Sequence, residues 1–471
     1  MADRSSPDVL LVSTPLQAGT LPGGVCPSLS NLTLGTALRA RGISVEVLDP
    51  SVDLEGGEPS AVLSATADAV LKRRPGIVGV SCLSPVEGRF GAALARAIKA
   101  RDPARPVVLG GIWATARPAE LLARCPEIDG VVVGPGESAA AVLAEHRLSR
   151  PRDVPGLVWR DGAEIARNPP STGCGLSAPL DLSLLSHPER YDIFCWLTSR
   201  GCPYDCAFCT ERLGSPTYTA DAPAKVADDL AAMQRFDGRW YLWICDALFG
   251  ASRPRLAKIC ESLAGTGFEF LAESRVDVLH PDDIPKLREA GCNLIYFGLE
   301  SGSRRSLLEL NKFDGRPARY DRYVEGARAL VEACLCNGIL PVMGVLNPVP
   351  GDSAADLQLT LALLEELAGI ARRLGPAANE LAPCFHAFPL RLDPGAPYER
   401  REAELLLSGV SWSQPPDPLF GDRYLRRASA TIGPDEGEKF RARVRALNPP
   451  SPEVRRRLLR SFPRPYLEFA S

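Results

Sequence analysis

The sequence predicts an α/β protein of two units in series, a doubly wound parallel sheet followed by a partial (β/α) barrel, on three observations. Short β-branched runs alternate with helical stretches from Val9 to His146. The alternation resumes from Ile193 to about Pro389, with polar residues gathered at the strand ends. Between them lies a stretch with a hairpin signature and a Pro-rich crossing. At 471 residues, 45% hydrophobic and 24% charged, the chain is long enough for two or three domains.

In the first unit, 1–147, the runs 9–13, 43–48, 77–81, 106–109 and 130–133 read as strands buried on both faces. The stretches 32–41, 61–72, 88–100 and 137–146 read as the helices between them. A sheet wound this way binds ligands beyond the carboxyl ends of its strands, at the switch point. The segments placed there are 14–30, 82–86, 110–115 and 134–137. Glycines at two of these tips let a bulky ligand approach the backbone. No GxGxxG follows the first strand, which disfavours a dinucleotide.

Residues 148–190 read as a connector that positions the two units. Asp161-Gly162 marks a hairpin turn, and Asn168-Pro-Pro opens an irregular crossing. In the second unit, 191–394, the strand at 240–244 ends at Cys245-Asp246 and that at 269–272 ends at Glu273-Ser-Arg275. The strand at 294–299 ends at Glu300-Ser-Gly-Ser303, and that at 340–346 at Asn347. Polar residues thus gather where a barrel presents its site, although Ser301, Ser303 and Asp352 suit helix caps equally well. His386 and Tyr398 either face a substrate or belong to the core. The short region 395–471 has a basic helical stretch near 453–460, expected to cap the barrel.

Cys202, Cys206 and Cys209 lie in Thr198-Ser-Arg-Gly-Cys-Pro-Tyr-Asp-Cys-Ala-Phe-Cys-Thr210, three thiols at a 4-then-3 step in a loop rich in Gly, Pro and Asp. An iron–sulfur cube needs four ligands and this loop offers three, so one iron is left open for a substrate or cofactor. A zinc site completed by Cys195 or His187 is the alternative. Most of the other eleven of the 14 cysteines read as buried and inert. With no secretory signal a disulfide framework is not expected, and the reducing cytoplasm is the expected compartment. A formal charge of −3 gives no basic field for nucleic acid, and no run of eighteen apolar residues offers a membrane span.

The spacing CxxxCxxC, with an aromatic before the last cysteine, resembles the cluster loop of radical S-adenosylmethionine (SAM) enzymes. Val108-Leu-Gly-Gly-Ile-Trp-Ala-Thr115, followed by Ile128-Asp-Gly-Val-Val-Val-Gly-Pro-Gly-Glu137, is similar to the cobalamin-binding domain that precedes the radical domain in the cobalamin-dependent radical SAM family. Phe297-Gly-Leu-Glu-Ser-Gly-Ser303 with Asn311-Lys312, and Ala272-Glu-Ser-Arg275, resemble its fourth-strand and third-strand motifs. The resemblance covers roughly residues 8–390. It implies a flavodoxin-like or Rossmann-like first domain and a (β/α)6 radical SAM barrel; a first domain that binds nothing is the alternative.

The family's site residues carry over by position. The resemblance implies a [4Fe-4S] cluster on Cys202, Cys206 and Cys209, with the amino and carboxylate groups of SAM on the open iron. It implies SAM contacts from Phe208, Asp246, Glu273, Arg275, Glu300, Ser301 and Val345. It implies cobalamin contacts from Thr14, Ser81, Leu83, Ser84, Gly110, Gly111, Gly134, Gly136 and Glu137. The chain has no His before His146, so cobalt would lack a lower imidazole, and Leu83 or Ser84 is placed beneath it. One departure is Tyr218-Thr-Ala-Asp221, where relatives carry Tyr-Arg-x-Arg.

The activity implied is methylation of an unactivated sp3 carbon in a natural-product (antibiotic) pathway, through a 5′-deoxyadenosyl radical and methylcobalamin. Thioether formation, ring contraction or oxidation with the same cofactors is the rival, and a non-catalytic cobalamin or metal carrier the remote one. A small-molecule or carrier-linked substrate and a flavodoxin-type or ferredoxin-type electron donor complete the expectation.

Overall fold

The structure, a computed structural model, describes residues 6–15, 26–54, 57–171, 178–236, 240–448 and 451–461. Strands β1 (Val9–Val12), β2 (Val45–Leu48), β3 (Ile77–Ser81), β4 (Val107–Gly110) and β5 (Gly130–Val132) form a parallel sheet in the order β2-β1-β3-β4-β5. This is the doubly wound arrangement expected, and the helices Leu29–Arg39, Pro59–Arg73, Pro85–Lys99 and Glu137–His146 fall between the strands as read. β1 is buried at all four positions, which is why it reads as a continuous apolar run.

The hairpin belongs to this sheet. β6 (Leu157–Asp161) pairs antiparallel with β5 and β7 (Glu164–Arg167) pairs with β6, so the sheet gains two strands. Gly162 takes a positive φ of 67° at the turn.

The stretch after the hairpin welds the two units together. Leu180, Leu182, Leu184 and Leu185 are buried in a core cluster that also contains β1 residues and barrel strands. Burial of each such side chain stabilises by about 1.5–3 kcal/mol. A Cβ on Gly35 would lie 2.7 Å from Leu184 Cδ1, so the helix Leu29–Arg39 is bare where the leucine seats. The Tyr191 hydroxyl donates to Asp49 Oδ2 at 3.0 Å.

The second unit opens with β8 (Ile193–Trp196). β9 (Ser199–Arg200) and β10 (Thr219–Ala220) form a small antiparallel pair flanking the cysteine loop. β11 (Tyr241–Ile244), β12 (Phe270–Arg275), β13 (Cys292–Glu300), β14 (Leu340–Leu346) and β15 (Cys384–Phe388) follow. With β8 they make a six-stranded parallel sheet in sequential order, an open barrel. One expectation changes. Glu273 and Arg275 lie within β12 rather than beyond its end, because the nine-residue β13 offers them partners as far as Gly298.

Beyond Pro394 come the short hairpin of β16 (Ser411–Trp412) and β17 (Leu425–Arg427) and the helices Pro434–Ala446 and Pro452–Ser461. Val454 and Leu458 are buried against Tyr241, Leu271, Leu294, Leu340 and Cys384, all at the amino ends of barrel strands. Arg457 Nη1 donates to the carbonyls of Asn293 and Gly338 at 3.2 and 2.8 Å. The last helix therefore closes the barrel floor, as the cap reading expected.

Candidate active site

The cysteine loop runs from β9 to the short helix Glu211–Gly214 and is pinned on both sides. Gly201 enters it at φ 70°, where a Cβ would lie 2.4 Å from the Thr217 carbonyl. The Ala207 amide donates to the Leu310 carbonyl at 3.0 Å, and the Tyr398 amide donates to the Ala207 carbonyl at 2.8 Å. Asn311 Nδ2 donates to the Asp205 carbonyl at 2.6 Å. Cys206 is buried, Cys202 half-buried and Cys209 exposed.

Donors converge on the sulfurs. Arg275 Nη1 reaches Cys206 Sγ at 3.4 Å, and the Glu211 amide reaches Cys209 Sγ at 3.5 Å. The Arg275 guanidinium stacks 3.8 Å from the Tyr204 ring, bonds both Asp277 oxygens, and donates to the Lys312 carbonyl at 2.6 Å. Burial alone would lower its pKa, but Asp277 beside it outweighs burial and raises it. Among the described residues no three His, Cys, Asp or Glu side chains converge where a single metal ion would sit. The trio, with Cys195 and His187, is thus not gathered as a mononuclear zinc site would be.

The remaining residues singled out in the second unit divide into two groups. Phe208 belongs to the loop, and Lys312 stands between it and Glu300. Lys312 Nζ lies 5.7 Å from the Phe208 ring and 3.0 Å from Glu300 Oε1. Glu300 holds a φ of 61°, a conformation uncommon outside glycine, and its carbonyl accepts from Asn347 Nδ2 at 3.0 Å. Val345 is fully buried and pairs with Glu300. Glu273 accepts from Trp243 Nε1 at 2.9 Å.

Asp246 and Ser301 make their hydrogen bonds within the protein. Asp246 accepts four bonds, from the amides of Thr198 and Ser199 at 2.6 and 2.9 Å and from their hydroxyls at 2.6 and 2.7 Å. Burial pushes its carboxyl up and these bonds pull it back, leaving it above the ordinary value. Ser301 is fully buried, with Oγ 2.9 Å from Thr360 Oγ1 and accepting from the Ser303 amide at 3.1 Å. Ser303 caps the helix Arg304–Glu309, as its sequence context allowed. Tyr398 is core, donating to the Glu309 carbonyl at 3.2 Å.

A cavity of about 520 Å³ lies between the carboxyl ends of the first sheet and the rim of the barrel. Thr14, Ser81, Leu83, Gly110, Gly111, Gly134, Gly136 and Glu137 all line it. Gly111 at φ 97° leaves no room for a side chain, since a Cβ would lie 2.4 Å from the Cys82 carbonyl. Leu83 is 56% exposed at this cavity, large for a leucine. Ser84 is not a lining residue. Its Oγ caps the helix Pro85–Lys99, accepting from the Glu87 amide at 3.3 Å. The stretch 16–25 of the expected loop 14–30 lies outside the described residues.

Sequence reasoning missed several lining residues. Arg200, Leu197 and Cys245 come from the barrel, and Glu87 from the helix after β3. Glu87 accepts from the Leu83 amide at 2.6 Å, and burial raises its pKa. Arg200 donates to Glu137 across the two units. Their neighbours in sequence carried no signal of this, apart from the position of Arg200 just ahead of the cysteine loop.

Comparison with known proteins fits this geometry. The B12 binding domain family matches residues 18–144, and the Radical SAM superfamily matches residues 196–364. An uncharacterized methyltransferase of Pyrococcus horikoshii is 26% identical over 280 residues, 55% of this chain and 59% of that protein. The 2-(S-pantetheinyl)-carbapenam-3-carboxylate methyltransferase of Streptantibioticus cattleyicolor is 32% identical over 40% of this chain and 30% of its own. The cobalamin-dependent radical SAM methyltransferase TokK of Streptomyces tokunonensis is 31% identical over 46% and 34%. The chain thus spans between three tenths and three fifths of these curated relatives.

Among solved structures, the methyltransferase TsrM from Kitasatospora setae, with tryptophan substrate and a SAM analogue bound, aligns at a TM-score of 0.74. It has 19% identity, with 94% of this chain and 89% of that one covered. The cobalamin-dependent enzyme OxsB aligns at 0.74 with 18% identity, covering 93% and 66%. The cofactors of the two matched domains are cobalamin, SAM and a [4Fe-4S] cluster. The residues present fit them. Three thiols in one loop, with a cation and an amide donating to sulfur, suit the cluster. A cavity walled by glycines and apolar strand ends suits a large flat macrocycle.

Proposed function

From a chain that joins a B12-binding domain to a radical SAM domain, we propose an enzyme that methylates an unactivated sp3 carbon of a natural-product intermediate. The observation that carries this reading is the shared boundary of the two sites. The cavity of the first domain is closed by Arg200, Leu197, Cys195 and Cys245, which lead into or flank the cysteine loop at the barrel's carboxyl rim. A substrate held there lies within reach of both cofactors. The carbapenam and TokK relatives supply the natural-product direction and the methyl transfer.

In this reading Cys202, Cys206 and Cys209 hold the cluster. Arg275 steadies Cys206, Glu300 and Lys312 offer paired charge to SAM, and Phe208 and Val345 support its adenine side. Thr14, Ser81, Leu83, Gly110, Gly111, Gly134, Gly136 and Glu137 hold cobalamin, with Leu83 facing the corrin. When bound, cluster and SAM supply hydrogen abstraction and cobalamin a transferable methyl group. The chain's own part is orientation and exclusion of water, to which the last helix contributes by closing the barrel floor. An electron donor of flavodoxin or ferredoxin type is required.

The test is anaerobic. The protein is reconstituted with iron, sulfide and cobalamin, given SAM and a strong reductant, and assayed for both nucleoside products. Formation of 5′-deoxyadenosine that is lost in Cys206→Ala, together with S-adenosylhomocysteine, is the expected result. 5′-Deoxyadenosine alone would move the reading to a non-methylating reaction, and no cluster at all would overturn it.

A further inference from the structure

Residues 395–423 touch both domains where each faces its ligand. In the first domain Gly110, Gly111, Ile112 and Thr115 line the cavity, and the helix Ile112–Ala116 ends at Arg117. Arg117 Nη2 donates to Glu399 Oε1 at 2.6 Å. The amide of the preceding residue, Tyr398, donates to the Ala207 carbonyl at 2.8 Å, inside the cysteine loop between Cys206 and Cys209. Two consecutive residues thus hold the cavity wall on one side and the cysteine loop on the other. The second Glu399 oxygen accepts from the Gly395 amide at 2.7 Å and closes the turn that carries them.

Apolar contacts run beside this polar path. A Cβ on Gly214 would lie 3.6 Å from Ile112 Cδ1, and one on Gly395 would lie 2.6 Å from Leu213 Cδ2. The helix Glu211–Gly214, which begins two residues after Cys209, is therefore packed between the cavity wall and the C-terminal segment. Farther along, the segment is anchored on the first domain. Arg124 bonds both Asp417 oxygens, at 2.9 and 2.8 Å, and Leu419 is buried in the first domain's core. The Phe420 ring lies 5.6 Å from that of Trp113, and its carbonyl accepts from Arg89 Nη2 at 2.9 Å. Trp113 belongs to the helix Ile112–Ala116, so both ends of the segment bear on the same piece of cavity wall.

We infer that residues 395–423 form a clamp that sets the cavity of the first domain against the cysteine loop, with Arg117 and Glu399 as its positioning pair, so that cluster and cobalamin bind cooperatively. The inference rests on the radical SAM reading above and goes beyond it in making the two cofactor sites one thermodynamic unit. Cluster loading fixes the cysteine loop and, through Ala207, Tyr398 and Glu399, the end of the helix Ile112–Ala116. Less of the cavity wall is then left to order when cobalamin binds, and by linkage cobalamin favours the cluster by the same factor. Transfer between two centres needs them held in one geometry, which a pair reaching from one wall to the other supplies. A half-exposed ion pair adds little to stability by itself, so its removal leaves the fold standing. Arg423, which holds Glu402 at 3.0 Å, stays beside Glu399 when Arg117 is removed.

The experiment uses the full chain under anaerobic conditions, before and after reconstitution with iron and sulfide, with hydroxocobalamin as the probe. Spectral titration reads its affinity in the wild type, Arg117→Ala and Glu399→Ala, with iron content and circular dichroism as controls. The expected result is binding about tenfold tighter to the cluster-loaded wild type than to the iron-free chain. In each variant that ratio is expected to fall to about threefold or less, the Glu137–Arg200 contact being left in place, while affinity for the iron-free chain changes less than about threefold. A pair that only stabilised the fold would leave the ratio unchanged. Equal affinity in the two states of the wild type overturns the inference, and so does a full ratio in both variants. A chain that loads no cluster, or binds no hydroxocobalamin in either state, defeats the functional reading, a different failure. Should an alanine variant fail to load iron, Glu399→Gln keeps an acceptor for the Gly395 amide and removes the charge facing Arg117. It is expected to lose most of the coupling, and a full ratio there overturns the role of the pair.

Discussion

The Glu137 carboxylate, at the start of the last helix of the first domain, accepts a hydrogen bond from the Arg200 guanidinium, two residues before Cys202. Both side chains line the cavity between the domains, at 12% and 25% exposure. A ligand in that cavity and the cysteine loop are therefore in contact with one ion pair.

Glu137→Gln and Arg200→Ala are each expected to destabilise by about 1–3 kcal/mol, because each leaves a half-buried charge without its partner. The double variant should cost less than the sum. Urea unfolding of the four proteins measures the coupling, and additive losses would show that the pair contributes nothing. Cobalamin affinity should fall severalfold in both single variants.

Asp246 is expected to matter for the cysteine loop and not for SAM. Asp246→Ala leaves the buried amides of Thr198 and Ser199 without acceptors, at about 1–3 kcal/mol for each orphaned donor. Iron content after reconstitution should drop together with melting temperature. A variant that loads iron normally but binds SAM tenfold more weakly would instead support the ligand role that its sequence position implies.

Gly111→Ala tests the close approach of β4 to the loop after β3. The added Cβ meets the Cys82 carbonyl at 2.4 Å in a backbone conformation that side chains rarely adopt. A loss of about 2 kcal/mol or more is expected, together with loss of cobalamin binding. Gly162→Ala, also at positive φ but with nothing within 4 Å, should cost only the backbone strain, about 1 kcal/mol.

Features carried by local pattern were legible in the sequence, and those made by distant contacts were not. The apolar runs gave the strands of the first sheet, and the spacing of Cys202, Cys206 and Cys209 singled out the loop. Ser84 caps a helix and Ser301 braces Thr360, roles that in sequence look like those of a serine that faces a ligand. Asp246 sits at a strand end as a ligand-binding acid would, and only the fold brings Thr198 and Ser199 to all its acceptor positions. The hairpin 157–167 joins the first sheet because Leu157, Val158 and Trp159 find β5, a pairing no turn signal specifies. Arg200 and Glu87 had no motif to mark them.

His386 gives the fold a measurable acid sensitivity. Burial in the lumen lowers its pKa from 6.5 to about 4, so the ring is neutral at neutral pH. Above pH 6.5 the folded and unfolded chains both carry it uncharged, and it contributes no pH dependence. As pH falls from 6.5 towards 4 the unfolded chain takes up a proton that the folded chain refuses, so stability declines through that window. The loss from this one group is about 2 kcal/mol between pH 7.5 and pH 5. Replacing His386 by Gln removes the titrating ring, and the wild type should then lose more stability than His386→Gln over that interval in urea titrations. Identical declines in the two proteins would mean that His386 is as accessible to protons in the fold as in the unfolded chain, and that the lumen is open to bulk water.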